Sequence, residues 1–161
     1  MPAFADSLVF RPATAADVPA LAALYAATAR AFGPRCYSAL QVDAWVRFGQ
    51  DTPAFRAYVL DADTWLASDA EGAALGFCGI GTAGEVHSLY VRHDLGRRGL
   101  GGRLLADALA RLRSRGTLRF AAWATPFSRP VFERAGFTLV RTVREPYEGV
   151  EFERYRVESG G

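Results

Sequence analysis

The sequence predicts one α/β domain (α+β in the finer classification) built around a mixed, mostly antiparallel, twisted sheet. Short apolar runs typical of strands alternate along the 161 residues with longer runs that have helical spacing. The length suits one domain. Half of the residues are hydrophobic, which is enough for a two-layer core. No repeat or linker divides the chain, so we expect a single domain over residues 1–161.

Seven strands and five helices are predicted in alternating order. The strand-like runs are residues 8–12, 64–68, 74–81, 85–91, 118–123, 137–143 and 150–157. The helix-like runs are residues 17–30, 38–48, 53–61, 99–115 and 127–135. Gly-containing pairs such as Gly33-Pro34 and Ala83-Gly84 mark turns between them.

Several helix starts carry residues that cap free backbone amides. Asp17, Ser38 and Thr52 stand at such positions, and Pro53 suits the first turn of a helix. The run over 99–115 has an apolar stripe that should face the core. The stripe comprises Leu100, Leu104, Leu105, Ala108, Leu109 and Leu112.

Composition argues against several classes of protein. The net charge is only +2, and every basic residue is arginine without the clustering that a nucleic-acid surface needs, so we expect no nucleic-acid partner. No apolar run is long enough to cross a membrane, and no signal peptide is recognisable, so a cytoplasmic protein is expected. Cys36 and Cys78 form neither a disulfide framework nor, with His87 and His93, a zinc pattern. We therefore expect no metal.

A glycine-rich loop, Gly96-Arg97-Arg98-Gly99-Leu100-Gly101-Gly102-Arg103, separates a predicted strand from the longest predicted helix. Free amides and the positive end of the helix dipole converge there and attract phosphate, and the arginines add charge. A Walker-type loop needs a lysine, which this chain lacks altogether. A dinucleotide fingerprint needs Gly or Ala where Leu104 stands. The loop is predicted to hold a pyrophosphate of another kind.

Leu89-Tyr90-Val91 followed by Gly96-Arg97-Arg98-Gly99-Leu100-Gly101 resembles motif A of the GNAT superfamily of N-acetyltransferases, which cradles the pyrophosphate of acetyl-coenzyme A. Gly96 replaces the usual Gln or Arg, which removes a side chain but keeps the backbone donor. Three further segments resemble the superfamily in the expected order: the opening at 8–17, the Tyr-Ser-x-x-Gln-x-x-x-Trp segment at 37–45 of one branch of small bacterial members, and the late helix with Gly-Phe at 130–137. The resemblance covers roughly residues 7–157.

The resemblance implies the GNAT fold, acetyl-CoA as co-substrate and a set of residues that bind it. The strand should use backbone groups to bind pantetheine and to polarise the thioester carbonyl. The implied cofactor-binding residues are Leu89, Tyr90, Val91, Gly96, Arg97, Arg98, Gly99, Leu100, Gly101, Gly102, Ser128 and Phe132. The family's usual general acid is a tyrosine where this chain has Phe132; Ser128 or Tyr147 could replace it, or the thiolate can leave unaided, since its thiol has a pKa of about 8.5.

Acetyl transfer to an amine needs a base. A lysine-like amine has a pKa of about 10.4, so making it neutral at pH 7.4 costs about 4 kcal/mol. The family's base lies eleven residues before the Gln/Arg position, which is Glu85 here. Strand alternation puts His87 on the same face, and histidine is well suited to accept a proton near neutrality. Glu85 and His87 are the predicted catalytic pair; each could instead be structural.

The acceptor is the least determined part of the prediction. The segment after the first helix borders the acceptor in this superfamily, which makes Tyr37 and Trp45, together with Trp65, the predicted aromatic lining. The expected reaction is direct transfer of acetyl to a primary amine of a small molecule or of an exposed peptide or protein. Two alternatives stay open: a catalytically silent acyl-CoA-binding module, and a toxin-type acetyltransferase acting on charged tRNA. The chain could be a monomer or a homodimer.

Overall fold

The computed structural model describes residues 7–96 and 98–160. Its strands are β1 (Val9–Pro12), β2 (Asp63–Ser68), β3 (Ala74–Ile80), β4 (Glu85–Val91), β5 (Arg119–Ala124), β6 (Thr138–Tyr147) and β7 (Val150–Gly160). Its helices are α1 (Val18–Phe32), α2 (Ala39–Phe48), α3 (Pro53–Leu60), α4 (Leu100–Ser114) and α5 (Arg129–Arg134). Short 3₁₀ turns occupy Ala15–Asp17, Gly33–Arg35 and His93–Leu95.

All seven strands form one sheet in the order β1-β2-β3-β4-β5-β7-β6. Every neighbouring pair is antiparallel except β4 and β5, which run parallel. The predicted fold class, a mixed and mostly antiparallel sheet flanked by helices, is therefore confirmed. β6 and β7 extend beyond their predicted ends because they pair with each other along nearly their whole length.

Two apolar clusters cover the two faces of the sheet. On one face the buried stripe of α4 packs with Phe132 of α5 against β3, β4 and β5. On the other face α1, α2 and α3 pack against Leu66 and Phe77. Burying each of these large side chains contributes about 2 kcal/mol, so both layers stabilise the sheet that carries the site.

The helix starts use their caps in part as predicted. The Ser38 and Thr52 hydroxyls accept hydrogen bonds from the amides of Gln41 and Phe55. Asp17 makes no cap bond to α1; its carboxylate accepts two hydrogen bonds from Arg11, at 2.7 and 2.8 Å, and another from the Thr14 amide. Asp17 is instead the last residue of the 3₁₀ turn that precedes α1. There it forms a capping box with Thr14, the residue that caps the turn.

No helix within the described ranges is both long and apolar enough to span a membrane.

Candidate active site

The site lies where β4 and β5 separate. These parallel strands pair only at Glu85 with Ala121 and at Val86 with Ala122. Beyond Val86 they diverge, and a gap opens at the carboxyl ends of two adjacent parallel strands. Such a gap leaves one edge of β4 without strand partners, which is the position where open α/β sheets bind ligands.

A β-bulge turns β4 at the start of this gap. Gly79 of β3 is opposite Ser88 and Ile80 is opposite Val86, so His87 is the extra residue with no partner on β3. The bulge reverses the alternation of faces: Val86 packs on the α4 side, and so do Leu89 and Val91. A bulge of this kind commonly re-aims a side chain next to a functional site.

The backbone groups of Leu89 and Val91 point into the gap. Arg92 donates its amide to Leu75 on β3, and bonded pairs alternate with unbonded ones along an antiparallel ladder. Tyr90 therefore bonds β3, whereas Leu89 and Val91 direct their N–H and C=O groups toward β5. The Val91 carbonyl accepts a hydrogen bond from the Thr28 hydroxyl at 3.1 Å. The predicted role of this strand as a source of backbone donors fits that geometry.

Two cavities open from the gap. The first cavity, of about 170 Å³, runs between β4 and α5 to Gly101 at the start of α4. It is lined by Thr28, Phe32, Tyr58, Val86, His87, Ser88, Leu89, Tyr90, Val91, Gly101, Trp123, Thr125, Phe127, Ser128, Val131 and Phe132. The second cavity, of about 360 Å³, lies between α1–α3 and the β6–β7 hairpin. It is lined by Tyr25, Tyr37, Trp45, Phe48, Tyr58, His87, Tyr90, Trp123, Ala124, Thr125, Glu145, Pro146, Tyr147, Phe152, Glu153 and Arg154.

The two cavities share a small set of lining residues, which marks where their contents can meet. The shared residues are Tyr58, His87, Tyr90, Trp123 and Thr125. Two molecules held in separate cavities can react only at such a junction. The junction lies at the bulge.

The described part of the glycine-rich loop, Gly96 and the residues from Arg98 onward, leads into α4. Gly99 has φ 77°, a left-handed conformation that glycine adopts without strain. The intrahelical ladder begins with the Arg103 amide donating to Gly99, so that ladder leaves the amides of residues 100–102 without an acceptor. Gly96, Gly102 and Arg98 are exposed. Arg97 lies outside the described residues, and its predicted role stays a prediction.

Gly101 lets α4 approach β4 and α5 closely. A Cβ at this position would lie 3.6 Å from Val131 and 3.7 Å from Val91, whereas one at Gly102 would meet nothing within 4 Å. The first turn of α4 is therefore set against the open edge of β4, and Gly101 lines the end of the first cavity. Leu100, also predicted to bind cofactor, has its side chain buried in the core.

Ser128, just before α5, and Phe132, on α5, line the first cavity, and both side chains already have contacts within the protein. The Ser128 hydroxyl accepts a hydrogen bond from the Thr125 amide at 2.9 Å, and Thr125 Oγ1 accepts from the Ser128 amide at 3.1 Å. Phe132 is 3% exposed and packs edge-on against Phe137, with ring centroids 5.1 Å apart. Its ring is a core element where the family's usual acid would stand.

The two residues of the predicted catalytic pair, Glu85 and His87, have different contacts in the structure. His87 is exposed and lines both cavities; its ring lies so close to Gly81 that a methyl group there would overlap Nε2. Glu85 lines neither cavity, because both of its carboxylate oxygens accept hydrogen bonds from Arg156, at 3.0 and 3.2 Å. This pairing raises the pKa of Arg156. Of the two, His87 alone faces both cavities.

Three tyrosines, Tyr25, Tyr58 and Tyr90, form a cluster beside the bulge. The Tyr58 hydroxyl donates to the His87 carbonyl at 3.4 Å, and the Trp45 indole N–H donates to the Tyr90 hydroxyl at 3.3 Å. Burial raises the pKa of all three hydroxyls. Each therefore keeps its proton at neutral pH and can donate it to a hydrogen bond.

Tyr37 and Trp45, the predicted acceptor lining, both lie on the wall of the second cavity. Their rings meet edge to face with centroids 5.6 Å apart, and burial raises the pKa of Tyr37. Trp65 does not line either cavity. It sits on β2 with its N–H donated to Asp63 at 3.1 Å and the Arg111 guanidinium 4.5 Å over its ring. Tyr147, one of the two residues predicted as a replacement acid, lies on the wall of the second cavity at the end of β6, and it does not line the first cavity.

Sequence reasoning missed Tyr58 and Trp123, which line both cavities, and Arg156, which holds Glu85. In the sequence, Tyr58 has the spacing of an ordinary aromatic residue on a short amphipathic helix, and Trp123 that of an ordinary strand residue, so neither is marked as part of a site. The position of Trp123 at the end of β5, across the gap from β4, is the signal that could have identified it.

Among the described residues, no group of three or more His, Cys, Asp or Glu side chains is placed to hold a metal ion.

Residues 35–159 match the family model described as the acetyltransferase (GNAT) domain, and the chain belongs to this family of acetyltransferases. No curated protein matches the chain. Among solved structures, a GCN5-related N-acetyltransferase from Rhodopseudomonas palustris superposes with a TM-score of 0.90 at 21% identity, covering 96% of each chain.

Two further solved structures contain the coenzyme. The PaiA N-acetyltransferase from Thermoplasma acidophilum, in complex with coenzyme A, has a TM-score of 0.76 at 16% identity and covers 96% of this chain and 99% of its own. YncA from Salmonella typhimurium, with its cofactor acetyl-CoA, has a TM-score of 0.64 at 17% identity and covers 96% and 94%. At these identities the likeness establishes the fold.

Proposed function

We propose that the chain transfers an acetyl group from acetyl-CoA directly to a primary amine, with both molecules bound at once. The observation that carries the proposal is the meeting of two cavities at His87, on a strand whose backbone is open to β5. One cavity reaches the anion-binding start of α4, and the other is a separate compartment suited to an acceptor. Family membership supports the acetyl donor.

The first cavity and the loop fit acetyl-CoA. The amides of residues 100–102 and the positive end of α4 would hold the pyrophosphate, and the exposed Arg98 adds charge. Leu89 and Val91 would bind the pantetheine arm by their backbone groups, as one added strand between β4 and β5. The bound co-substrate supplies the activated acetyl thioester. Phe132 and Val131 offer that arm an apolar wall.

His87 is the group that takes the amine proton. Its ring reaches both cavities, so it can accept the proton from a nitrogen that enters through the second cavity. The nitrogen lone pair then forms the C–N bond to the acetyl carbon, the C–S bond breaks with its electron pair leaving on sulfur, and the second proton lost by the nitrogen passes to that thiolate. Backbone N–H groups of the open strand stabilise the negative charge that develops on the carbonyl oxygen.

The Tyr58 hydroxyl takes the place of the donor that position 132 lacks. It lies at the junction, and burial raises its pKa, so it keeps its proton and donates a hydrogen bond to the sulfur as negative charge develops there. The thiol of CoA has a pKa of about 8.5, so the thiolate leaves without taking the Tyr58 proton. The donor for the leaving group therefore comes from α3 rather than from α5.

The first experiment is the thermal unfolding midpoint (Tm) of the purified protein with acetyl-CoA, CoA or ATP. A ligand at 100 times its Kd adds about 2.7 kcal/mol, which raises Tm by several degrees. We expect stabilisation by acetyl-CoA and CoA and none by ATP, followed by amine-dependent release of CoA thiol. Failure of millimolar acetyl-CoA to stabilise the protein would exclude the proposal.

Stabilisation by acetyl-CoA without CoA release for any amine would instead favour a silent acyl-CoA-binding module. The buried, non-acidic Phe132 is the observation on which that second reading depends.

A further inference from the structure

Aromatic rings that pack against one another form much of the wall of the second cavity. Tyr37 packs edge-on against Trp45 and against Phe152, with centroids 5.6 and 5.3 Å apart. Phe48 packs against Tyr147 at 6.1 Å across the cavity mouth, from α2 to β6. The walls are therefore preformed, and an occupant meets them without first ordering them.

Helix α2 and the β6–β7 hairpin are also joined by a hydrogen bond. The Gln41 side chain on α2 donates to the Glu151 carbonyl on β7 at 2.8 Å. The cavity thus lies between α2 and the hairpin, with its mouth open to solvent. Its volume of about 360 Å³ falls at the small-molecule end of ligand pockets.

The charged groups of the wall already have partners. Glu145 accepts from Arg154 at 2.5 Å, and the same guanidinium lies 4.7 Å over the Trp123 ring. Glu153 accepts from the Tyr155 hydroxyl at 2.9 Å. An occupant with several cations or many hydroxyls would have to break these contacts or leave some of its own groups unsatisfied, which disfavours its binding.

We infer that the acceptor is a small monoamine whose amino group is carried on a flat aromatic body, a conclusion that rests on the proposed acetyl transfer. The body stacks among the rings of the wall, whose offset and edge-on contacts favour aromatic over aliphatic partners. The single ammonium is attracted by the aromatic wall that includes Tyr37 and Trp45 on its way to His87. The Trp123 ring, in contrast, already has the Arg154 and Arg156 guanidiniums over it. Polyamines, aminosugars and lysines on folded proteins are disfavoured by charge or by size.

The test compares amines at fixed acetyl-CoA by the release of CoA thiol. The probes are 2-phenylethylamine and tryptamine, set against spermidine and a lysine peptide with a blocked N-terminus. 2-Cyclohexylethylamine is the matched control, because it keeps the chain and bulk of phenylethylamine without the flat ring. We expect kcat/KM for the aromatic amines to exceed that for spermidine and the peptide by at least about tenfold, and that for the cyclohexyl amine by a smaller factor.

Equal or better turnover of spermidine or the peptide would overturn this acceptor class and leave the proposed acetyl transfer standing. No turnover of any amine would remove the proposed function itself. The two failures are therefore distinguishable in one experiment.

A variant pair at the mouth tests the rings directly. Tyr147 is 36% exposed, so its truncation opens no cavity in the core. We expect Tyr147→Ala to lower kcat/KM for 2-phenylethylamine about tenfold and Tyr147→Phe, which keeps the ring, to lower it by less than about threefold, with the Tm shift on CoA unchanged in both. Unchanged kcat/KM in Tyr147→Ala would contradict the aromatic wall. Quenching of tryptophan fluorescence by 2-phenylethylamine, but not by spermidine, provides a check on the unmodified protein.

Discussion

The two terminal nitrogens of Arg156 bind the two carboxylate oxygens of Glu85, at 3.0 and 3.2 Å, across 71 residues of sequence. The pair is mostly buried, with side-chain exposures of 18% for Arg156 and 32% for Glu85. It joins β4 to β7 across β5, beneath the Trp123 ring, where the Arg156 guanidinium lies 5.4 Å from the ring centroid. Glu85 is thus held by Arg156, whereas His87 lines both cavities.

This arrangement predicts that substitutions of Glu85 and of His87, the predicted catalytic pair, have different effects on kcat and on Tm. His87→Ala should lower kcat about 100-fold or more, because it removes the proton acceptor, while the KM for acetyl-CoA changes little. Glu85→Gln should lower kcat by less than about tenfold and lower Tm by about 3 °C, because it weakens a partly buried ion pair worth about 1 kcal/mol. Steady-state kinetics and thermal unfolding of both variants provide the measurement. A larger kcat loss in Glu85→Gln than in His87→Ala would reverse the assignment.

Tyr58→Phe should lower kcat about tenfold without unfolding the protein. The substitution removes the hydroxyl that donates to the His87 carbonyl and keeps the ring that packs against Tyr25 at 6.2 Å. Tyr25→Phe is the matched control, because it deletes a buried hydroxyl of the same cluster that lines only the second cavity. Equal losses of kcat in the two variants would mean that the tyrosine cluster has a structural role and that the Tyr58 hydroxyl is not a specific donor to the leaving group.

Asp17 makes stability depend on acid pH. Hydrogen bonds from Arg11 lower the pKa of Asp17 from its ordinary 3.8 to about 2. A lowered pKa stabilises the folded state above the ordinary pKa, and this contribution is lost as the pH falls from about 4 toward 2. With Arg11 partly exposed, we expect Asp17→Asn to cost about 1–2 kcal/mol at pH 7 and roughly half as much at pH 3.

Urea unfolding of the wild type and Asp17→Asn at both pH values measures the Asp17 effect. Asp51→Asn is the control, because Asp51 pairs with Arg56 on the surface and such pairs contribute little. A cost for Asp17→Asn that is the same at pH 7 and pH 3 would show that the carboxylate charge is not the cause.

The two thiols should differ sharply in reactivity. Cys36 is exposed, whereas Cys78 is fully buried, and burial raises the pKa of Cys78 to about 12. Since the thiolate is the reactive form, we expect one thiol per chain to react rapidly with a disulfide reagent at pH 8 and two in denaturant. Cys36→Ser should react only in denaturant. Rapid labelling of native Cys36→Ser would indicate that the strand carrying Cys78 opens locally.

Most of the framework follows from local patterns in the sequence. The apolar stripe of α4 and the glycine-rich loop before it depend on neighbouring residues, and both are present as predicted. The bulge at His87 could not be predicted, because it depends on how β4 registers with β3. The same holds for the Glu85–Arg156 pair and for Tyr58, whose position is fixed by how α3 packs on the sheet. Simple alternation on an unbroken strand predicted Glu85 and His87 on one face, and the bulge at His87 interrupts that alternation.

The order of the chain divides the site into segments with separate tasks. The first cavity draws mainly on one central stretch, from β4 through α5, whereas the rings that wall only the second come from α1–α2 and from the β6–β7 hairpin. The hairpin at the sheet edge and α2 contribute no residue to the lining of the first cavity, whereas α1 contributes Thr28 and Phe32 to it. Such a layout lets a lineage change the molecules that it modifies while it keeps its donor, and it marks residues 37–48 and 145–154 as the positions for redesign.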